Sequence, residues 1–163
     1  MAGESSFDVV SEFDQQELVN ALDQVRREIA TRYDFKGSHC TLELGKAEIT
    51  LQADDEFRAK AVRDLVESKA VRRGLSLKVF DWGKLEAAAG GSVRQAIGLR
   101  RGLTSEQAKE LSKTIRDGFP KVKPVIQGDA LRVSAKSKDE LQAVINQLRS
   151  LDYPVALQFT NYR

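Results

Sequence analysis

One order of elements, strand–helix–strand–strand–helix–strand, can be read twice along the chain, and this constrains the fold more than any other feature. In the first pass, Phe7, Val9 and Ser11 alternate with Asp8, Val10 and Glu12 as a short strand. Asp14 with Glu17 three residues on reads as a helix start, and Leu18, Leu22, Val25 and Ile29 recur at helical spacing, predicting a helix over 14–32. Residues 39–53 read as a hairpin turning at Gly45-Lys46. Asp54 or Asp55 opens a second helix, with Phe57, Ala61 and Leu65, joined by Val62 and Val66 as further candidates, facing inward and Gly74 ending it. Leu75, Leu77 and Val79 then form one face of a fourth strand.

The stretch 85–92, with Ala87-Ala88-Ala89-Gly90-Gly91, lacks a period and reads as a linker. The order then recurs. Val93, Ile97 and Leu99 alternate with Arg94, Ala96, Gly98 and Arg100, and Thr104 with Gln107 opens a helix carrying Ala108, Leu111 and Ile115. A second hairpin turns at Gly128-Asp129, Ser137 with Glu140 opens the last helix, and Val155, Leu157 and Phe159 close the chain as a strand. The expected fold is α+β: two ferredoxin-like domains, 1–84 and 93–163, each a four-stranded antiparallel sheet with two helices on one face. The rules of connection leave room for the domains to exchange a terminal strand.

Composition narrows the function. No apolar run approaches the roughly 20 residues that span a bilayer, and the N-terminus has no secretory pattern, so the expectation is a cytoplasmic protein with no membrane contact. One cysteine, Cys40, and one histidine, His39, exclude a disulfide framework and the common zinc sites, so no metal or cofactor is expected. Glycine-rich phosphate loops and nucleophile–base arrangements are missing too, which points away from an enzyme. Residues 1–92 carry 13 Lys+Arg against 17 Asp+Glu, and residues 93–163 carry 13 against 7, a split that suggests a polyanion-binding second half.

Strand parity places Arg132, Lys136, Lys121, Lys123, Gln127, Arg94 and Arg100 on the open face of the second sheet, with Leu131, Val133, Ala135, Val122, Pro124 and Ile126 inward. Such a basic array suits phosphates; solvent-facing strands also carry Lys and Arg for solubility alone. The first sheet's outward set, Asp8, Glu12, Thr41, Glu43, Thr50 and Gln52, is acidic to neutral. Arg32-Tyr33-Asp34-Phe35-Lys36 could clamp a base and a phosphate, or could be a helix end with Phe35 returning to the core. Trp82 reads as packing before ligand stacking. Tyr162 and Arg163 could meet a ligand by docking across the sheet, or could fray.

Ser6–Glu12, Glu28–Gly37, Ile126-Gln127-Gly128-Asp129, Leu131-Arg132-Val133, Lys138–Gln142 and Gln158–Arg163 together resemble the YajQ family of bacterial nucleotide-binding proteins, over essentially the whole chain. The resemblance implies two ferredoxin-like domains and a ligand that is a nucleotide (cyclic di-GMP, GTP or ATP) or RNA. Arg32, Tyr33, Asp34, Phe35, Lys36, Lys123, Gln127, Arg132 and Arg163 stand at positions that match its motifs. A protein-interaction adaptor with no direct nucleotide ligand is the alternative.

Overall fold

A computed structural model describes residues 3–163. In chain order the elements are β1 (Ser5–Val10), α1 (Gln15–Thr31), β2 (Thr41–Leu44), β3 (Glu48–Ala53), α2 (Glu56–Arg72), β4 (Phe80–Trp82), β5 (Glu86–Ala87), β6 (Val93–Leu99), α3 (Ser105–Gly118), β7 (Lys123–Gln127), β8 (Ala130–Ala135), α4 (Lys138–Ser150) and β9 (Gln158–Thr160). They form two antiparallel sheets, ordered β7-β8-β1-β9 and β2-β3-β6-β4, with β5 beside β6. No helix among the described residues is long and apolar enough to cross a membrane.

Local chemistry explains most boundaries. Asp14 caps α1 by accepting from the Gln16 and Glu17 N–H groups. Thr104 and Gln107 form a reciprocal capping box on α3, and Ser137 accepts from Glu140 N–H at the start of α4. Asp55, not Asp54, caps α2; Asp54 instead accepts from His39 N–H at 2.9 Å. Gly74 ends α2 at φ 79°, with Leu75 N–H donating to Ala70 C=O and Gly74 N–H to Val71 C=O, a Schellman pair.

The first strand of each repeat lies in the sheet of the other repeat. β1 inserts between β8 and β9, while β6 inserts between β3 and β4. The compact units are therefore the segment ending at Glu12 together with Arg101–Arg163, here the split unit, and Phe13–Arg100, the continuous unit. These differ from the sequence-contiguous spans 1–84 and 93–163. Side-chain complementarity distinguishes the two docking positions. Phe7 and Val9 enter the split core beside Leu131 and Val133, and Asp8 lies opposite Arg132. Ile97 enters the continuous core, and Gln95 Nε2 donates to Gly83 C=O at 2.7 Å. Gly83 itself has to be glycine, because a Cβ there would lie 2.5 Å from the Ala96 carbonyl oxygen.

Several expectations need correction. Residues 85–92 are a hairpin within the continuous unit and not a linker: Glu86 and Ala87 pair with Arg94 and Val93, and Gly90 and Gly91 supply positive φ angles. The β2–β3 turn falls on Lys46-Ala47, since Gly45 N–H donates to Glu48 C=O. Leu77–Val79 is a 3₁₀ turn leading into the short β4, and the last strand shrinks to Gln158–Thr160. Leu65, Val62 and Val66 are buried as expected, with Ala59 and Ala70, but Phe57 is 76% exposed because it lies off the stripe that these residues form. Ile126 is 40% exposed, on the edge strand beyond the reach of the helices.

Candidate functional site

Strand exchange redistributes the charge on which the basic-face expectation rested. The split unit holds 11 Lys+Arg against 10 Asp+Glu, and the continuous unit 15 against 14, so each carries a net charge of only +1. Arg94 and Arg100 belong to the continuous unit with β6, and Asp8 and Glu12 belong to the split unit with β1. The six-cation face is therefore not formed.

Arg132 is committed as well. Its Nε donates to Asp8 Oδ1 at 3.0 Å and its second nitrogen to Oδ2 at 3.4 Å, while Asn161 Nδ2 donates to Oδ2 at 2.9 Å. The Arg132 guanidinium holds the Asp8 carboxyl below the usual carboxylate range, opposed by burial and helped by Asn161. Because the folded value is the lowered one, this stabilisation is present above the unfolded value of about 4 and is lost as pH falls through the folded one. Calorimetry below about pH 4 should therefore show a smaller fall in melting temperature for Asp8→Asn than for the wild type. Equal falls would mean that the pair contributes nothing to acid sensitivity.

The remaining cations gather at one end of the split sheet. Lys123 pairs with Ser134 at the end of the β7–β8 ladder, and Lys121 and Lys136 lie just beyond that end on the two chains. These three lysines line a cleft of about 560 Å³ with Pro120, Ser137 and Glu140 at the N-terminus of α4, and with Glu4. Among the described residues Lys121 and Lys136 form no ion pair, and Lys123 lies 3.7 Å from Glu4. Like charges gathered in one cleft repel each other. The first-turn N–H groups of α4 add positive character at the same place. An anion bound in the cleft would relieve both.

A second cleft, about 290 Å³, flanks the first turn of α4 on its other side. The edges of Leu141 and Ile145, over the buried Phe7, give it an apolar wall, and Lys138, Gln142, Tyr162 and Arg163 form its rim. The chain's last residues are ordered there by backbone pairing. Ser6 and Arg163 exchange N–H to C=O bonds at 3.3 and 3.0 Å, whereas Asp8 pairs with Thr160. Asn161 and Tyr162 thus oppose the single residue Phe7, a β-bulge, and Asn161 takes φ 56°. The bulge turns the Tyr162 ring toward α4, 6.3 Å from the Phe7 ring.

The other candidates line neither cleft. Gln127 sits at the opposite end of β7 from Lys123, beside the Gly128-Asp129 turn. Arg32–Lys36 lies in the continuous unit: Arg32 is held by Asp34 at 2.9 and 2.7 Å and lies over the Phe35 ring at 5.4 Å, and Phe35 is buried. Of that segment, Tyr33, 88% exposed, and Lys36 project into solvent. Trp82 carries Arg63 over its ring at 4.5 Å. Sequence reasoning did not connect Ser137, Glu140, Lys138 and Gln142 with the lysines. Their helix cap was legible, but their place beside Lys121 follows only from the hairpin register.

Comparison with known proteins completes the description. The family model described as "nucleotide-binding protein YajQ-like" matches residues 5–163. Proteins named "nucleotide-binding protein" from Synechococcus elongatus, Chloroflexus aggregans and Trichodesmium erythraeum are 63%, 61% and 56% identical, each alignment covering all of both chains. A match of that extent, on two ferredoxin-like units with exchanged first strands, places this chain in the YajQ-like family.

Proposed function

We propose that the protein is a binding module for a small nucleotide, without a chemical step of its own, and that its phosphate-recognition element is the lysine cleft at the N-terminus of α4. One observation carries this reading: Lys121 and Lys136, neither in an ion pair among the described residues, line one cleft of ligand size together with Lys123, next to a helix N-terminus. The name carried by the relatives, "nucleotide-binding protein", supports the ligand class. Glu4 holds the position beside Lys123 that a phosphate would take over.

A small nucleotide such as cyclic di-GMP, GTP or ATP is favoured over RNA. Polymer binding needs cations spread along a face, yet Arg132 is neutralised and Arg94 and Arg100 are in the other unit. The outward residues of β1 and β8 (Ser6, Asp8, Val10, Arg132, Ser134) include no ring for base stacking.

The test is calorimetric titration of cyclic di-GMP, GTP, ATP and a single-stranded RNA over a salt series. The double variant Lys121→Glu/Lys136→Glu should weaken nucleotide binding by at least about tenfold, roughly 1.4 kcal/mol, with Arg132→Ala changing it far less. Unchanged affinity in the double variant would dismiss the cleft. If the wild type binds neither nucleotide nor RNA, the adaptor reading takes its place.

A further inference from the structure

We infer that the second cleft is a nucleobase subsite, in which the Tyr162 ring and the accessible edges of Leu141 and Ile145 hold the base of the nucleotide whose phosphates reach the lysine cleft. The inference rests on the proposed function and adds to it a place for the part of the ligand that carries its identity. Three observations lead to it.

The first is shape and polarity. A cleft of about 290 Å³ with an apolar wall suits one flat ring system with its sugar, and not a folded partner. The second is charge. Lys138 and Arg163 both line this cleft, no Asp or Glu side chain does, and Lys138 forms no ion pair among the described residues. The occupant is therefore a flat apolar body with an anionic end. The third is the bulge. Without the extra residue, position 162 would fall opposite Ser6, whose side chain points to the open sheet face. With it, Tyr162 stands over the cleft at 63% exposure, while Arg163 returns to register with Ser6. A largely exposed ring beside an apolar wall offers a stacking surface, and a base is a surface that matches it.

Gln142 supplies the polar contact. Its Nε2 donates to Asn146 Oδ1 at 3.0 Å, which leaves the side-chain oxygen to accept from a base edge. The two clefts also meet a shared frame. Ser137 and Glu140 line one and Lys138, Leu141 and Gln142 the other, so the first turn of α4 separates them. An α-helix is only about 10 Å across with its side chains, a span that a nucleoside and its phosphates can bridge.

The experiment compares GTP and ATP with inorganic tripolyphosphate, titrated into the full chain. Tyr162→Ala should weaken GTP and ATP by about tenfold, leave tripolyphosphate unchanged, and be rescued by Tyr162→Phe, which keeps the ring. If Tyr162→Ala leaves GTP and ATP unchanged while Lys121→Glu/Lys136→Glu weakens them, the base subsite is wrong and the phosphate cleft stands. An equal loss for GTP, ATP and tripolyphosphate in Tyr162→Ala also overturns it, because the ring would then act on the phosphates or on the fold. If the wild type binds none of the three, both readings fall together.

Discussion

Replacing Phe7 with alanine is expected to destabilise the unit made of Arg101–Arg163, and not the unit that follows Phe7 in the chain, by about 3–5 kcal/mol. The side chain is fully buried in the split core and meets the Phe159 ring edge-on at 5.9 Å. Its strand is paired on both sides, with Val133 opposite on β8 and β9 along the other edge. Truncation removes a large apolar surface and leaves a cavity at the centre of the sheet, where neighbours in two ladders restrict collapse. Hydrogen exchange checks this directly. Amides of Ala130–Ala135 and Gln158–Thr160 should lose protection, while those of Glu48–Ala53 keep theirs. Loss of protection in β3 instead would refute the exchanged topology.

Cutting the chain at the two candidate boundaries should give opposite results. A polypeptide spanning 13–100 contains both helices and every strand of its sheet, including β6, and should fold alone with a cooperative urea transition. One spanning 1–84 retains β1, whose partners β8 and β9 are gone, and lacks β6, the strand between β3 and β4. It loses Ile97 from its core and both ladders that β6 makes, and should give the collapsed amide spectrum of an unfolded chain. If 1–84 folds and 13–100 does not, β1 can substitute for β6, and the exchange is a choice made in the full chain and not a requirement of either core.

Much of this architecture is legible in the sequence because it is set locally. Asp14, the Thr104–Gln107 pair and Ser137 mark helix starts through bonds that span two or three residues, and the Gly128-Asp129 turn fixes the second hairpin. What is not local is not legible. β1 and β6 both present an apolar and a polar face, and alternation says which face is buried without saying against which sheet. The basic-face expectation fails for that reason alone: parity orients Arg94 and Arg132 correctly, but they sit in different sheets. Asp8, expected on the acidic to neutral face of the first sheet, is instead the partner of Arg132 in the other sheet. Phe57 illustrates a second limit. α2 has apolar residues on more than one face, so its period cannot choose between the stripe that contains Phe57 and the one that is buried. The lysine cleft was half visible, since Lys121, Lys123 and Lys136 carry charge wherever they lie, but their convergence depends on hairpin register.

The exchanged strand also dictates the order in which the molecule can be completed during synthesis. Asp8 and Arg132 are separated by 124 positions, and a ribosome adding about 5–20 residues per second needs roughly 6–25 s to cover that distance. Throughout that interval β1 has no sheet to join. The continuous unit is finished first, because everything it requires lies between residues 13 and 100. The Phe7–Val9 segment, apolar on one face, therefore waits as a tethered, unpaired strand beside an already folded neighbour, open to chaperones and to strands of other nascent chains. The unit that carries both proposed clefts is thus the later of the two to form, since β1, the first strand made, gains its second neighbour only once Gln158–Thr160 has been added.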